Sequence, residues 1–504
     1  MTLSFKRSPW QARRAVVVTV LAALYLLNVS YNLQYFYLRG AGDDAGWFAW
    51  LAAHAWAWPM RNPALIGGSF LALHMSPIFF AATALLAPLS FWPAAVRFSL
   101  FIALWAPLFW LAVFLLLRAF ATLGFAPRCA AALLLTFNGL TLSMLGFPHI
   151  EILIPALGLL AIGVCARSRT AAGFVAASLI AVPALAVRED AGLHLVLVLT
   201  ALVLASGAAR DRRMTLRLLG LAALCLAGSG LALWVQRHGV PDGGRQLGNV
   251  YLGHPLLAQV SATSLARRLT YWATRREYIF LPLLALLVAA SRYGAQDRRL
   301  LFGAALALPW LSLSLLAASQ QAGDLWGYYC FPLVFMLLWP LLLLSQLDAP
   351  PPQRLLMVQL VMGGLSTAAF LVVGMLPNVG DGGAHDRAPW AHLWPPSPAA
   401  IRLTEAALAD RDGWLFDYGT AALAIGALQP RQFRAGLAFD DADIRAARGF
   451  IRFIPQPRYL APRLAALAQA FPVCTPVEGT ALEVCTRAAE ATPPPGSPPP
   501  SPPR

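Results

Sequence analysis

The chain has 504 residues, 59% of them hydrophobic and only 12% charged. Soluble domains carry about 25% charged residues, so these proportions exclude a soluble globular protein and require a polytopic membrane protein. The formal charge of +15 is almost all arginine, Lys6 being the single lysine. Basic residues set topology in membranes, so the lipid bilayer is the expected partner and nucleic acid is not.

Lys6, Arg7, Arg13 and Arg14 precede the first apolar run, residues 15–36. That run is too long for the apolar region of a signal peptide and reads as an uncleaved span with a cytoplasmic N-terminus. Further spans follow at roughly 92–120, 129–147, 151–165, 171–187, 193–209, 218–235, 278–291, 300–318, 331–344 and 355–376, about eleven in all. The connections then sort by charge. Arg118 with Arg128, Arg167 with Arg169, Arg210, Arg212, Arg213 and Arg217, Arg292, Arg298 and Arg299, and Arg354 fall on one side, as short cytoplasmic loops should. The other set holds 37–91, 148–150, 188–194, 236–277 and 319–330, and with an odd span count the tail after 376 lies with it, outside. Residues 76–91 are apolar but short, and they carry Pro77 and Pro88. Counting them as a span would invert every later loop, so they read as a helix on the outer membrane surface.

Residues 1–376 are therefore expected to form the membrane domain and 377–487 a small α/β unit outside it. Residues 488–504 are a proline-rich, low-complexity tail, disordered or extended. Four cysteines (Cys129, Cys165, Cys225 and Cys330) sit in or beside spans as small packed residues. Cys474 and Cys485 lie close together in the tail and either pair in an oxidising compartment or remain free.

Ionisable residues are expensive inside a bilayer, and here they gather at the outer span ends. R-G-A-G-D-D-A-G-W-F places Asp43 and Asp44 just past the first span, among glycines that would let backbone approach a ligand or turn tightly. Such a pair suits a general base or a divalent cation; alternatively Asp44 simply caps a surface helix. L-H-M-S-P supplies His74, F-P-H-I-E-I supplies His149 and Glu151, and V-R-E-D-A-G-L-H supplies Arg188, Glu189, Asp190 and His194. Each alone reads as a structural histidine or an interfacial ion pair, but four clusters on one face point to a site. D-L-W-G-Y-Y adds Asp324, Trp326, Tyr328 and Tyr329, whose aromatics also suit an interfacial belt. Residues 236–277 carry Arg237, Arg245, Arg267, Arg268, Arg275 and Arg276 against the positive-inside trend. They ask for an anionic partner, either a lipid-linked phosphate held bidentately or the headgroups of anionic lipid.

Assembled, these residues resemble a bacterial family of predicted membrane proteins of unknown function in the glycosyltransferase-C (GT-C) clan. Its motifs run D-L-G-x-F-D-Q, H-F-S-P, F-H-P-E and K-E-D. Here Asp44, Gly46 and Phe48 match the first, with Ala49 where the second Asp is expected. His74, Ser76 and Pro77 match the second, His149 and Glu151 the third, and Arg188, Glu189 and Asp190 keep the charges of the fourth. The Tyr328–Tyr329 pair also looks like a family feature, and the likeness covers roughly 34–344.

The resemblance implies an all-α polytopic GT-C-like fold in the bacterial inner membrane, with an inverting glycosyltransferase site on the periplasmic face. A polyprenyl-phosphate-linked sugar would be the donor and a hydroxyl the acceptor, whose identity the sequence leaves open. Asp44, with Asp43, would serve as base. His74, His149 and Glu151 would line the sugar pocket, and Arg188 with Arg275 or Arg276 would neutralise the phosphate. A divalent metal suits the carboxylates, although no diagnostic ligand set is present. Two other classes compete: a transporter or lipid flippase, and a non-catalytic envelope scaffold. Convergence of the outer clusters on one cavity favours the enzyme, a midplane cavity the transporter, and clusters scattered around the rim the scaffold.

Overall fold

The computed structural model describes residues 9–38, 43–62, 68–120, 122–145, 148–168, 170–206, 212–244, 248–292, 295–344, 353–375, 394–409, 411, 413–427, 441–454 and 461–488. The expected disordered tail beyond 488, Arg245, and the side chain of Asp43 lie outside that description.

The protein is a multi-pass helical membrane protein with a small C-terminal sheet. Its first half runs through α1 (Pro9–Leu38), α2 (Asp43–His54), α3 (Ile78–Leu86), α4 (Ala94–Ile102), α5 (Trp105–Leu117), α6 (Phe125–Thr136), α7 (Gly139–Leu145), α8 (Leu153–Arg167), α9 (Ala171–Leu185), α10 (Ala191–Ser206) and α11 (Arg212–Gly239). There follow α12 (Ala262–Arg275), α13 (Glu277–Arg292), α14 (Leu301–Leu316), the single turn α15 (Gln320–Gly323), α16 (Leu333–Leu337), α17 (Trp339–Leu344) and α18 (Gln353–Met375). Among the described residues six helices are long and apolar enough to cross a membrane, or seven if the bent pair α6–α7 is one span. The other four expected spans fall on shorter helices: α9 has 15 residues, α10 and α13 have 16 each, and the run at 331–344 is broken into α16 and α17, of five and six. At about 1.5 Å per residue these cover less than the roughly 30 Å hydrocarbon core. The expected surface helix at 76–91 is short as well, with α3 followed by a 3-10 turn to Leu89.

The 56° bend between α6 and α7 has a local cause. Phe137 and Asn138 leave helical geometry, and the Asn138 side chain caps the new helix by accepting from Leu140 N at 2.9 Å and Thr141 N at 3.2 Å. Gly139 N donates to Ser366 Oγ at 3.1 Å, so the freed backbone is satisfied inside the protein, as a break at membrane depth requires.

The tail adds α19 (Pro398–Leu408), β1 (Trp414–Phe416), α20 (Tyr418–Ala427), α21 (Asp441–Ala446), β2 (Gly449–Phe453), α22 (Ala461–Ala470), β3 (Val473–Pro476) and β4 (Leu482–Thr486). The sheet order is β1-β2-β4-β3, with β1–β2 parallel and the other two pairs antiparallel. Cys474 and Cys485 face each other across β3–β4 and are disulfide-bonded. The four other cysteines are free and buried.

The buried Asp417 fixes the start of α20, accepting from Thr420 N at 2.7 Å and, across the sheet, from Phe453 N at 3.0 Å. Helix α20 in turn lies against α2. A Cβ on Gly46 would stand 2.3 Å from the Ala422 backbone, so the glycine serves a close helix crossing, not the ligand approach or tight turn that its neighbourhood suggested. Tyr37 Oη also donates to Glu405 at 2.7 Å, and Gln34 bonds the Trp394 carbonyl. Phe416, Ala422, Ile451 and Leu482 therefore share one apolar core with α1 and α2.

Candidate functional site

Four separated motifs meet at one place. The turn before α3 carries His74, whose Nδ1 lies 3.1 Å from Glu189 Oε1, and Met75 N donates to Glu189 Oε2 at 2.8 Å. The link is completed by backbone, Ile78 N to Ala186 O at 2.9 Å, so the second and fourth motifs are laced together. The His74 turn is also held from behind, where Gln236 Nε2 donates to the Leu71 and Leu73 carbonyls at 3.1 and 3.2 Å.

Arg188 is the hub. Its Nε donates to Asp190 Oδ1 at 2.6 Å, a second guanidinium nitrogen bonds Asp190 Oδ2, and Nη1 reaches Glu151 Oε1 at 3.4 Å. The guanidinium carbon stands 5.3 Å from the centroid of the Phe331 ring, and Asp190 also takes His194 Nε2 at 3.4 Å. Glu151 bonds His149 Nδ1. The His149 ring stacks on Tyr328 with centroids 3.6 Å apart and meets Phe48 edge-on at 4.4 Å. Phe48 lies one turn beyond Asp44 on α2, so the first motif joins the third through this aromatic contact. Asp44 is the second residue of that helix, close enough for its charge to act on both Tyr328 and Tyr329.

Electrostatics follow from burial and pairing. Burial pulls the His74 imidazole down, but the charge and hydrogen bond of Glu189 outweigh it and leave the pKa raised. For His149 burial wins over Glu151 and the pKa is lowered. Burial also opposes the charged forms of Arg188 and Asp190, yet their mutual ion pair holds Arg188 well above and Asp190 well below their usual values. Burial, then Tyr329 and Asp44, keep Tyr328 protonated.

A cavity of about 330 Å³ opens on this cluster. Its polar wall is His74, Arg188, Glu189, Asp190, His194, Tyr251, Tyr328 and Tyr329; the remainder is apolar, from α10, α11, α14 and α16 with Val250 and Pro332. Three of the apolar lining residues, Leu193, Leu197 and Leu233, are exposed, so the cavity has an apolar, outward-facing side. His149 and Glu151 are buried behind the polar wall. Sequence reasoning missed Tyr251, which sits in G-N-V-Y-L-G without any pattern to mark it, and Trp310, whose ring meets His194 at 5.2 Å.

Arg275 and Arg276 are not among the cavity's lining residues. Arg276 Nε donates to the Asp324 and Leu325 carbonyls at 2.9 and 3.2 Å, and its guanidinium lies over Tyr271. Arg268 donates to the Leu315 carbonyl at 2.7 Å and to that of Ala317, at the C-terminus of α14. A cation there satisfies end carbonyls and the helix dipole. Part of the anionic partner sought by this loop is thus the backbone of 315–325, with Asp324 paired to Arg267 at 3.7 Å.

The cavity carboxylates and histidines form pairs and do not converge on a point. Among the described residues the one group of three metal-ligand types within reach of each other is Cys474, Glu483 and Cys485, two of which are disulfide-bonded. Among the described residues no protein-only metal cage forms at the cavity.

No family model matches the chain, and no curated protein does. Among solved structures it is similar to ArnT from Cupriavidus metallidurans bound to undecaprenyl phosphate. That match has 13% identity and a TM-score of 0.48, and covers 95% of this chain and 99% of that one. It is also similar to the Archaeoglobus fulgidus oligosaccharyltransferase in complex with Zn and sulfate, at 14% identity and a TM-score of 0.41, covering 86% and 68%.

Proposed function

We propose that the protein is an inverting membrane glycosyltransferase that moves a sugar from a polyprenyl-phosphate donor to an acceptor hydroxyl on the periplasmic face. The observation that carries this reading is the convergence of His74, Arg188, Glu189, Asp190 and the Tyr328–Tyr329 pair on one cavity with a polar wall, backed by His149 and Glu151, and an apolar, outward-facing side. A scaffold gives no reason for such convergence. An isoprenoid chain fits the apolar side, and its phosphate and sugar would lie at the polar wall.

In this reading the Asp44 carboxylate takes the proton of the acceptor hydroxyl. The acceptor oxygen forms a bond to the anomeric carbon as the bond from that carbon to the phosphate oxygen breaks, and the electron pair leaves with polyprenyl phosphate. His74 and Glu189 offer a donor and an acceptor to sugar hydroxyls, with His149 and Glu151 supporting the wall from behind. Arg188 contributes charge near the leaving group, an electrostatic contribution of the kind that usually dominates such steps, while Asp190 and Glu151 hold it in place.

The test is Asp44→Asn. A positioned base contributes about 10² to 10⁴ in rate, and Asn keeps the size of the Asp44 side chain in the first turn of α2 while removing the basic carboxylate. Cells carrying the variant at normal level should lose an envelope glycan detectable by mass spectrometry. Unchanged glycans, against a deletion strain that lacks one, overturn the reading.

A further inference from the structure

We infer that the Tyr251 hydroxyl holds the phosphate monoester of the lipid carrier, an inference that rests on the donor reading above. Tyr251 lies on the turn Gly248–Leu252, and backbone pins it there. Ala318 N donates to the Tyr251 carbonyl at 3.1 Å, Ser319 N to the Val250 carbonyl at 2.7 Å, and Gln259 Nε2 to the Tyr251 carbonyl at 3.3 Å. The side chain is 7% exposed and lines the cavity, with its ring edge-on to Trp310 at 5.7 Å. Its hydroxyl is buried and has no hydrogen-bond partner among the described residues.

An orphaned buried hydroxyl in a native fold asks for an explanation, and a ligand supplies one here. Arg188 is the one guanidinium among the described residues that line the cavity, and three of its five N–H groups already bond Asp190 and Glu151. Glu189 and Asp190 in the wall and Glu151 behind it repel an arriving phosphate, so an uncharged donor without a standing partner among the described residues helps to seat it. Tyr251 provides one within electrostatic range of Arg188. Burial raises its pKa, so the hydroxyl stays protonated at neutral pH and can donate. Trp310, which its ring touches, belongs to α14, the helix whose Leu306 and Leu313 line the apolar part. Tyr251 thus joins the polar wall to the apolar walls, where a phosphate linked to an isoprenoid chain would lie and reach the hydroxyl by a small turn of the ring.

The experiment measures binding of undecaprenyl phosphate, undecaprenol and inorganic phosphate to full-length wild type and Tyr251→Phe in lipid nanodiscs, with melting temperatures taken without ligand. Wild type should prefer the phosphate lipid to the alcohol. Tyr251→Phe should weaken the phosphate lipid by about 10- to 150-fold, the range for a hydrogen bond to a charged group, and leave the alcohol unchanged. Its melting temperature should equal or exceed that of wild type, because the hydroxyl removed had no partner. Unchanged binding of the phosphate lipid by Tyr251→Phe overturns the inference and leaves the donor reading standing. A lower melting temperature with loss of both lipids makes the hydroxyl structural and also overturns it. Equal binding of the two lipids by wild type removes the donor reading itself. Inorganic phosphate bound as tightly as the lipid would make the ligand a free anion and overturn the lipid assignment.

Discussion

Gly46→Ala tests how the C-terminal unit holds α2, the helix whose first turn carries Asp44. The added Cβ would stand 2.3 Å from both Cα and O of Ala422, short of the roughly 3.5–4.0 Å optimum between carbons by about 1.2–1.7 Å. The opposing atoms are backbone, so no side-chain rotation relieves the contact and α2 must part from α20. Overpacking of this kind costs about 1–3 kcal/mol. Gly230 on α11 is the control: nothing lies within 4 Å of its Cβ position, and Gly→Ala in an open helical position gains about 0.5–1 kcal/mol. The four buried free cysteines allow thermal unfolding in detergent to be followed with a thiol-reactive dye. Gly46→Ala should melt below wild type and Gly230→Ala at or above it, and Ala422→Gly should fail to rescue the first. Wild-type melting of Gly46→Ala would refute the crossing, and equal losses in both variants would show that glycine itself, not the contact, matters.

Other consequences are as direct. His74 has a pKa raised above its ordinary 6.5, so its pairing adds stability fully present below that pH and lost as pH climbs through the folded value. The melting gap between wild type and His74→Gln should close toward alkaline buffer, and a gap that widens contradicts the pairing. Arg268→Met keeps the apolar stem but removes two carbonyl bonds, each worth about 1.5–3 kcal/mol. It should melt lower even in neutral detergent, whereas a loop serving only anionic lipid would show no change there. Reducing the Cys474–Cys485 bridge should destabilise the tail by at most about 3 kcal/mol, read as faster proteolysis of 461–488; equal rates with and without reductant would contradict a structural role. A reporter active only in the periplasm should work after Gly244 and fail after Arg212, and activity at Arg212 would overturn the orientation.

The membrane character and the positions of the helices were legible because apolar runs and Arg-rich breaks are local signals. Lengths were less so: the bend at Asn138 and the five- and six-residue helices α16 and α17 come from packing that composition does not encode. The motif residues His74, His149, Glu151 and Arg188 stood out because charge at span ends is costly, and the expectation that all lie on one side already argued for convergence. Long-range partners were illegible. Gly46 takes its meaning from Ala422, and Arg268 and Arg276 from carbonyls of 315–325, so the arginine loop read as a phosphate seeker although much of it holds backbone. Tyr251 carries no local signal at all, since an unpartnered hydroxyl is visible only once its surroundings are folded. Cys474 and Cys485 were within reach because their partners lie close along the chain.

The central claim is that Asp44 works on a lipid-linked sugar held in this cavity. Native mass spectrometry of wild type and Asp44→Asn, purified from the same cells with their bound lipids, tests it whatever the identity of the sugar. The account predicts wild type carrying the polyprenyl phosphate left after transfer, and the variant carrying that lipid still bearing its sugar, the two differing by the mass of one sugar residue. The same lipid species in both proteins, or no polyprenyl lipid in either, would contradict it.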